Sequence, residues 1–361
     1  MNAKFFIALL LITNISLAQK IIPLDTTNWK INAKSYIFEN YKGKDAIYIQ
    51  GGAITLKDKT FLNGTIEFDV FLKEEQAFPG VYFRGTKNLD SEQWFMRPHL
   101  SGKPDANQAA PATKGITPWQ LYFGEKYSFP YKYKFNDWTH VKLVVNNNKA
   151  QVFLDEAQTP NLSWNLFHKT QEGLIAFRGG RFSGLHLANI KIDPNQTVIK
   201  NFIPKTRTPI KNLVPKWIIS DKFEEKHLEN IDSLKILIRS RKWNNEIIVE
   251  EGTAANISRK LQRYDGQVGN TVFAKIEVQS DKPKTKLFEF GYSDRVVVIL
   301  NGKPIYKGTN KWRSRDYRYL GTVGLFDAVY LPLKKGKNTL LIAVSEDFGG
   351  WLITGRFKDS N

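Results

Sequence analysis

The chain has 361 residues, 42% hydrophobic and 13% aromatic, with no cysteine and a formal net charge of +18 at pH 7. The lack of cysteine excludes disulfides, thiol catalysis and Cys-based zinc sites, so stability has to come from an apolar core large enough to stand unaided. The basic balance favours acidic partners, but the lysines and arginines are spread along the chain and no nucleic-acid-binding motif accompanies them.

Lys4 precedes an apolar run, Phe5 to Ile12, that is too short to span a bilayer, and Ser16-Leu17-Ala18 then offers the small residues a signal peptidase reads. This pattern predicts a signal peptide over residues 1–18 and an exported chain from Gln19, periplasmic or extracellular. No later stretch is long and apolar enough for a transmembrane anchor.

Strand signals dominate from Asp45 to Ile192. Gly64 to Leu72 alternates so that Ile66, Phe68, Val70 and Leu72 share one face. Trp138 to Val145 and Ala150 to Asp155 predict a hairpin around Asn146-Asn147-Asn148, and Leu174 to Phe177 and Leu185 to Ile192 complete the set. Between Pro194 and Pro215 come Pro204 and Pro209, with no periodicity, which predicts a linker over 194–215. A second strand-rich block follows over 216–361. It contains the run Val296 to Leu300, the turn pair Asn301-Gly302 and the return through Pro304-Ile305-Tyr306, a strong hairpin signal. The expectation is all-β: two β-sandwich (jelly-roll) domains, 19–193 and 216–361, joined by a Pro-rich linker.

The first block resembles the concanavalin A-like lectin/glucanase fold, including its laminin-G-like members. The resemblance rests on "FLNGTIEFDVFL", "GVYFRG", "WFMRPH", "WQLYFGE", "NDWTHVKLVV" and "GLHLANIKID". The second block resembles the galactose-binding-like jelly roll through Leu300-Asn301-Gly302-Lys303 and the strand Leu333 to Val344. Both resemblances imply a secreted carbohydrate-handling protein of bacterial type. Both families admit a Ca²⁺ held by loop carbonyls and Asp, but no Asp/Asn cluster marks one here, and no cofactor is expected.

Glycoside hydrolysis needs two carboxyl groups flanking the bond. Glu67 and Asp69, two apart on a strand, are the catalytic candidates for a glycoside hydrolase or lyase. Glucanases resembling the first block carry a third carboxylate two positions further on, where this chain has Phe71. The competing reading is a pair of solvated carboxylates on an exposed strand face. The five histidines, 99, 140, 168, 186 and 227, lack the paired spacing of zinc sites, and Gly179-Gly180 and Gly349-Gly350 read as tight turns.

Sugar recognition asks for aromatic rings to stack on and planar polar groups to hydrogen-bond hydroxyls. Alternation points Tyr82 and Arg84, then Phe95, Arg97 and His99, then Gln120 and Tyr122 to one outward face, with the arginines favouring anionic glycans. Trp94 and Trp119 then fall in the core, with a rim position open to Trp119 because it follows Pro118. A register error would exchange these roles. A second candidate site surrounds the mouth of the C-terminal hairpin: Asp294, Arg295, Trp312, Arg313, Arg315 and, from the last strand, Trp351. Its competing reading is loop architecture locked by charge pairs. The expected function is non-catalytic glycan recognition by an exported accessory protein. A glycoside hydrolase and a structural module docking partner proteins are the alternatives.

Overall fold

The computed structural model describes residues 21–358, apart from 181–183, 231, 264, 312 and 313. The proposed signal peptide, Trp312 and Arg313 therefore lie outside the described residues.

Residues 29–193 form two antiparallel sheets packed face to face. The six-stranded sheet runs Trp29–Asn32, Ala53–Leu56, Leu174–Arg178, Gly80–Gly85, Ser91–Met96, Asn107–Ala112 in spatial order. The seven-stranded sheet runs Leu162–Asn165, Lys149–Leu154, Asp137–Asn146, Gly64–Leu72, Leu185–Asp193, Lys44–Gln50, Ser35–Tyr41. The period of two puts Ile66, Phe68, Val70 and Leu72 inward against Val81, Phe83, Trp94 and Phe177 of the opposite sheet. Phe68 meets Phe177 edge to face at 5.0 Å between ring centroids. Burying each such side chain contributes about 1.5–3 kcal/mol, so this alternation is what holds the two sheets together.

Residues 216–358 form one continuous ten-stranded antiparallel sheet with Lys303–Thr309 and Asp327–Leu333 at its two edges. Its strands run Lys303–Thr309, Arg295–Leu300, Gly336–Ser345, Thr271–Ser280, Lys216–Ile219, Asn245–Glu250, Ala254–Asn256, Leu352–Lys358, Lys284–Tyr292, Asp327–Leu333. One core joins Trp217, Val272, Val298 and Ile342 of one half to Phe288, Phe290, Leu331 and Ile353 of the other, which makes this block a sandwich too. The hairpin turns at Asn301 and Gly302, both at positive φ, and a bulge after Val298 shifts its register. One short α-helix, Leu234–Arg239, is present among the described residues.

The segment 194–215 is laid along both sandwiches, its first half on residues of the first and its last residues on the second. Thr65 donates to Gln196 O at 2.6 Å, Lys200 N donates to Gln151 Oε1 at 2.8 Å, and Val214 N reaches Gly355 O at 2.8 Å. No helix among the described residues is long and apolar enough to cross a membrane.

Candidate functional site

The outer face of the six-stranded sheet is where the two sandwiches meet. Because Val81, Trp94 and Phe177 point into the core, their sequence neighbours point out. Register then lines up Ala53, Arg178, Gly80, Phe95 and Gln108 in one row across five strands. The next row holds Ala176, Tyr82, Gln93 and Ala110. Gly80 sits between Arg178 and Phe95 in the first row, where the neighbouring strand approaches closely. A Cβ there would come within 2.5 Å of Phe95 Cβ. The Arg178 guanidinium stands 5.2 Å from the Phe95 ring centroid and 4.9 Å from that of Tyr82.

Loops of the second sandwich wall this floor. Phe348 packs on Trp119 with centroids 5.2 Å apart, Val323 N donates to Gln120 O at 2.9 Å, and Leu320 N donates to Asp105 Oδ2 at 2.7 Å. The result is a cleft of about 520 Å³ with Phe78, Tyr82, Phe95, Arg97, Trp119, Arg178 and Phe348 on its walls. A smaller lobe of about 310 Å³ shares Phe78, Trp119, Leu320 and Phe348 and extends to Gln76, Gln120, Asp294 and Asn310.

The two arginines are held differently. Arg97 is buried and pairs with Asp105 at 2.6 Å and with Gln108, whose amide in turn donates to the carbonyls of Trp119 and Tyr122. Burial pulls the Arg97 guanidinium below its ordinary value while Asp105 opposes the shift, and burial pushes the Asp105 carboxyl up against the opposing pull of Arg97. Arg178 is half-buried. It donates from Nε to Tyr82 Oη at 2.7 Å and from Nη2 to Tyr82 Oη and to Gln93 Oε1, the latter at 3.2 Å. No carboxylate among the described residues lies within ion-pair distance of it.

Tyr82, Phe95, Arg97 and Trp119 thus meet in the larger lobe, and Gln120 lines the smaller one. Arg84 and Tyr122 do not join them. Arg84 sits at φ 54 in a bulge opposite Leu174–Ala176, so its side chain leaves the face and donates to Leu62 O, Asn63 Oδ1 and Asn147 O. Tyr122 lies in an irregular segment where alternation does not apply, and it is buried with its hydroxyl donating to Glu250 Oε2 of the second sandwich at 2.8 Å. His99 occupies a single 3-10 turn, edge-on to Phe78 at 5.2 Å, and burial together with Arg97 lowers its pKa to about 4. Trp94 is fully buried. The sequence reading missed Arg178, Phe78 and Phe348. Arg178 and Phe348 each precede a Gly-Gly pair, and those glycines mark close approach: a Cβ on Gly179 would meet Ile49, and one on Gly349 would meet Trp119 and Gln120.

Glu67 and Asp69 stand on the outer face of the seven-stranded sheet, across the sandwich from the cleft. The expectation of two solvated carboxylates is corrected for Asp69, which is buried and accepts from His140 Nδ1 at 2.7 Å, Lys44 Nζ at 2.7 Å and Asn189 Nδ2 at 2.6 Å. Burial pushes its pKa up, but those three donors hold it below the ordinary value, and in return Asp69 raises that of His140. Glu67 lies 3.5 Å from Lys142 and 3.8 Å from His140.

At the hairpin mouth, Arg295 donates to both Glu225 and Asp347, Lys311 also reaches Asp347, and Asp294 Oδ2 accepts the backbone N–H groups of Asp347 and Phe348. Arg315 bonds Asn310 and Asp327. Trp351, read as a ring for this site, is instead a core residue whose Nε1 donates to Val344 O at 3.0 Å. Asp294 thus braces the loop that carries Phe348 to the cleft. Among the described residues no group of three or more His, Asp and Glu could hold a metal ion.

No family model and no curated protein matches the chain. Among solved structures it is similar to a carbohydrate-binding module from Bacillus subtilis (12% identity, TM-score 0.35, covering 46% of this chain and 95% of that one). It is also similar to a β-glucanase from Bacillus licheniformis (11%, 0.35, 48% and 95%) and a galectin from Caenorhabditis elegans (16%, 0.29, 45% and 99%).

Proposed function

We propose that this is an exported, non-catalytic glycan-binding protein whose ligand lies in the cleft between the two sandwiches. Export rests on the Lys4 to Ala18 pattern, and the concanavalin A-like and galactose-binding-like readings of the two units belong to the same proposal. The observation that carries the binding reading is the convergence of Trp119, Phe348, Tyr82 and Phe95 with the half-buried Arg178 guanidinium around one open cleft. Rings of this kind stack on the apolar faces of sugars, while planar cationic groups donate in pairs to ring substituents.

Hydrolysis fits less well. The larger lobe has no carboxylate on its walls among the described residues. Asp294 in the smaller lobe is occupied by backbone N–H groups, and Glu67 and Asp69 are bound to their own cations on another face. The test is a panel of neutral and anionic polysaccharides read for both binding and release of reducing ends. Binding without release supports the proposal. Release that disappears in Glu67→Gln would make the protein a hydrolase, and neither binding nor release would favour a module that docks other proteins.

A further inference from the structure

Resting on the glycan reading, we propose that the ligand is an anionic sugar whose oxyanion, a uronate carboxylate or a sulfate ester, is held by Arg178. Two cations line the larger lobe, and they differ in what neutralises them. Arg97 has Asp105 at 2.6 Å and is spoken for. Arg178 is the charged group in the lobe with no carboxylate partner among the described residues, and only neutral acceptors, Tyr82 Oη and Gln93 Oε1, touch it. Its Nη1 has no partner among the described residues, and it is not among the groups with further interactions.

Burying a guanidinium part-way into an aromatic wall without a counter-charge is unfavourable in the empty protein. An incoming oxyanion at Nη1 relieves that cost and forms a charge-assisted hydrogen bond. The rings of Tyr82 and Phe95, which flank the guanidinium, keep its plane fixed, so little side-chain entropy is lost on binding. Trp119 and Phe348 stand on the same cleft to receive the sugar ring that carries the anion. Nothing anionic lines the larger lobe among the described residues to repel such a ligand.

The experiment compares, by calorimetry with the full chain, a uronate tetrasaccharide, its carboxyl-reduced counterpart, a sulfated galactan oligosaccharide, and sodium acetate and sulfate alone. Variants are Arg178→Met and Trp119→Ala, with thermal melts confirming that both fold. The expected result is at least tenfold tighter binding of one anionic oligosaccharide over the neutral one, lost in Arg178→Met, with Trp119→Ala weakening both sugars. The responding arm tells carboxylate from sulfate. Equal binding of charged and neutral sugars, still sensitive to Trp119→Ala, would overturn the anionic assignment and leave the glycan reading standing. Acetate or sulfate ions binding as tightly as the oligosaccharides would overturn it as well, and failure of every sugar would overturn both. If Arg178→Met fails to fold, Arg178→Gln serves: it keeps a polar side chain but loses the charge, and unchanged selectivity in it would overturn the proposal.

Discussion

The Phe348 ring, carried by a loop of the C-terminal sandwich, stands 5.2 Å from the Trp119 ring of the N-terminal one, and the two together form a shared wall of the cleft. That contact depends on Gly349. At φ +114 it adopts a backbone that side chains disfavour, and a Cβ there would lie 2.5 Å from Gln120 Nε2 and 2.7 Å from the Trp119 ring. Gly349→Ala is expected to destabilise the protein by about 1–3 kcal/mol and to weaken glycan binding by displacing Trp119. Chemical denaturation and calorimetry on the same samples check both.

Tyr122, read from the sequence as a binding residue, is expected to act on stability and not on binding. Tyr122→Phe removes the hydroxyl that donates to Glu250, which Arg259 also holds at 2.7 Å, and should cost about 1–2 kcal/mol. Glycan affinity should be unchanged, because the hydroxyl faces the second sandwich and not the cleft. A loss of affinity at full stability would return Tyr122 to the site.

The fold was legible because alternation over Gly64–Leu72 and its partners is enforced by burial on one face, which a period of two records directly. The cleft was only half legible. Tyr82, Phe95 and Arg97 obey alternation, whereas the same alternation sends Trp119 to the core and only the preceding Pro118 leaves a rim position open to it. Arg84 escaped because a bulge carries no reliable sequence mark, and Tyr122 because the segment around it is not a strand. Phe348 belongs to a contact between residues more than 200 apart, which no local pattern encodes. The Gly-Gly pairs after Arg178 and Phe348 were visible, and they signalled close backbone approach rather than simple turns.

A pH dependence of stability follows from Glu92. Its carboxylate is almost fully buried, and although it accepts from the backbone N–H groups of Phe167 and His168, burial raises its pKa to about 7. The folded state therefore holds a proton that the unfolded state releases near 4.5. Stability from this group is fully present below about pH 4.5 and declines as pH rises to 7, by on the order of 3 kcal/mol. Glu92→Gln should flatten that part of the profile, as read by urea denaturation at several pH values. An unchanged slope would show that Glu92 is ionised throughout.

On the opposite face, Asp69→Ala removes the acceptor shared by Lys44, His140 and Asn189 and should cost about 2–3 kcal/mol. Binding in the cleft should remain, since the sandwich core separates the two faces. Loss of binding in this variant, at a temperature where it is still folded, would move the site to the seven-stranded sheet.

Trp119→Ala separates a cleft between the sandwiches that holds a glycan from one that does not. The half-buried Trp119 ring lines both lobes, so replacing it removes a stacking surface from each, typically about 0.5–1.5 kcal/mol beyond the buried area itself. Calorimetric titration of the best glycan from the panel into the wild-type protein and this variant, each verified folded by its melting curve, should show affinity reduced at least tenfold in the variant. Equal affinity in the two proteins would place the glycan outside the cleft.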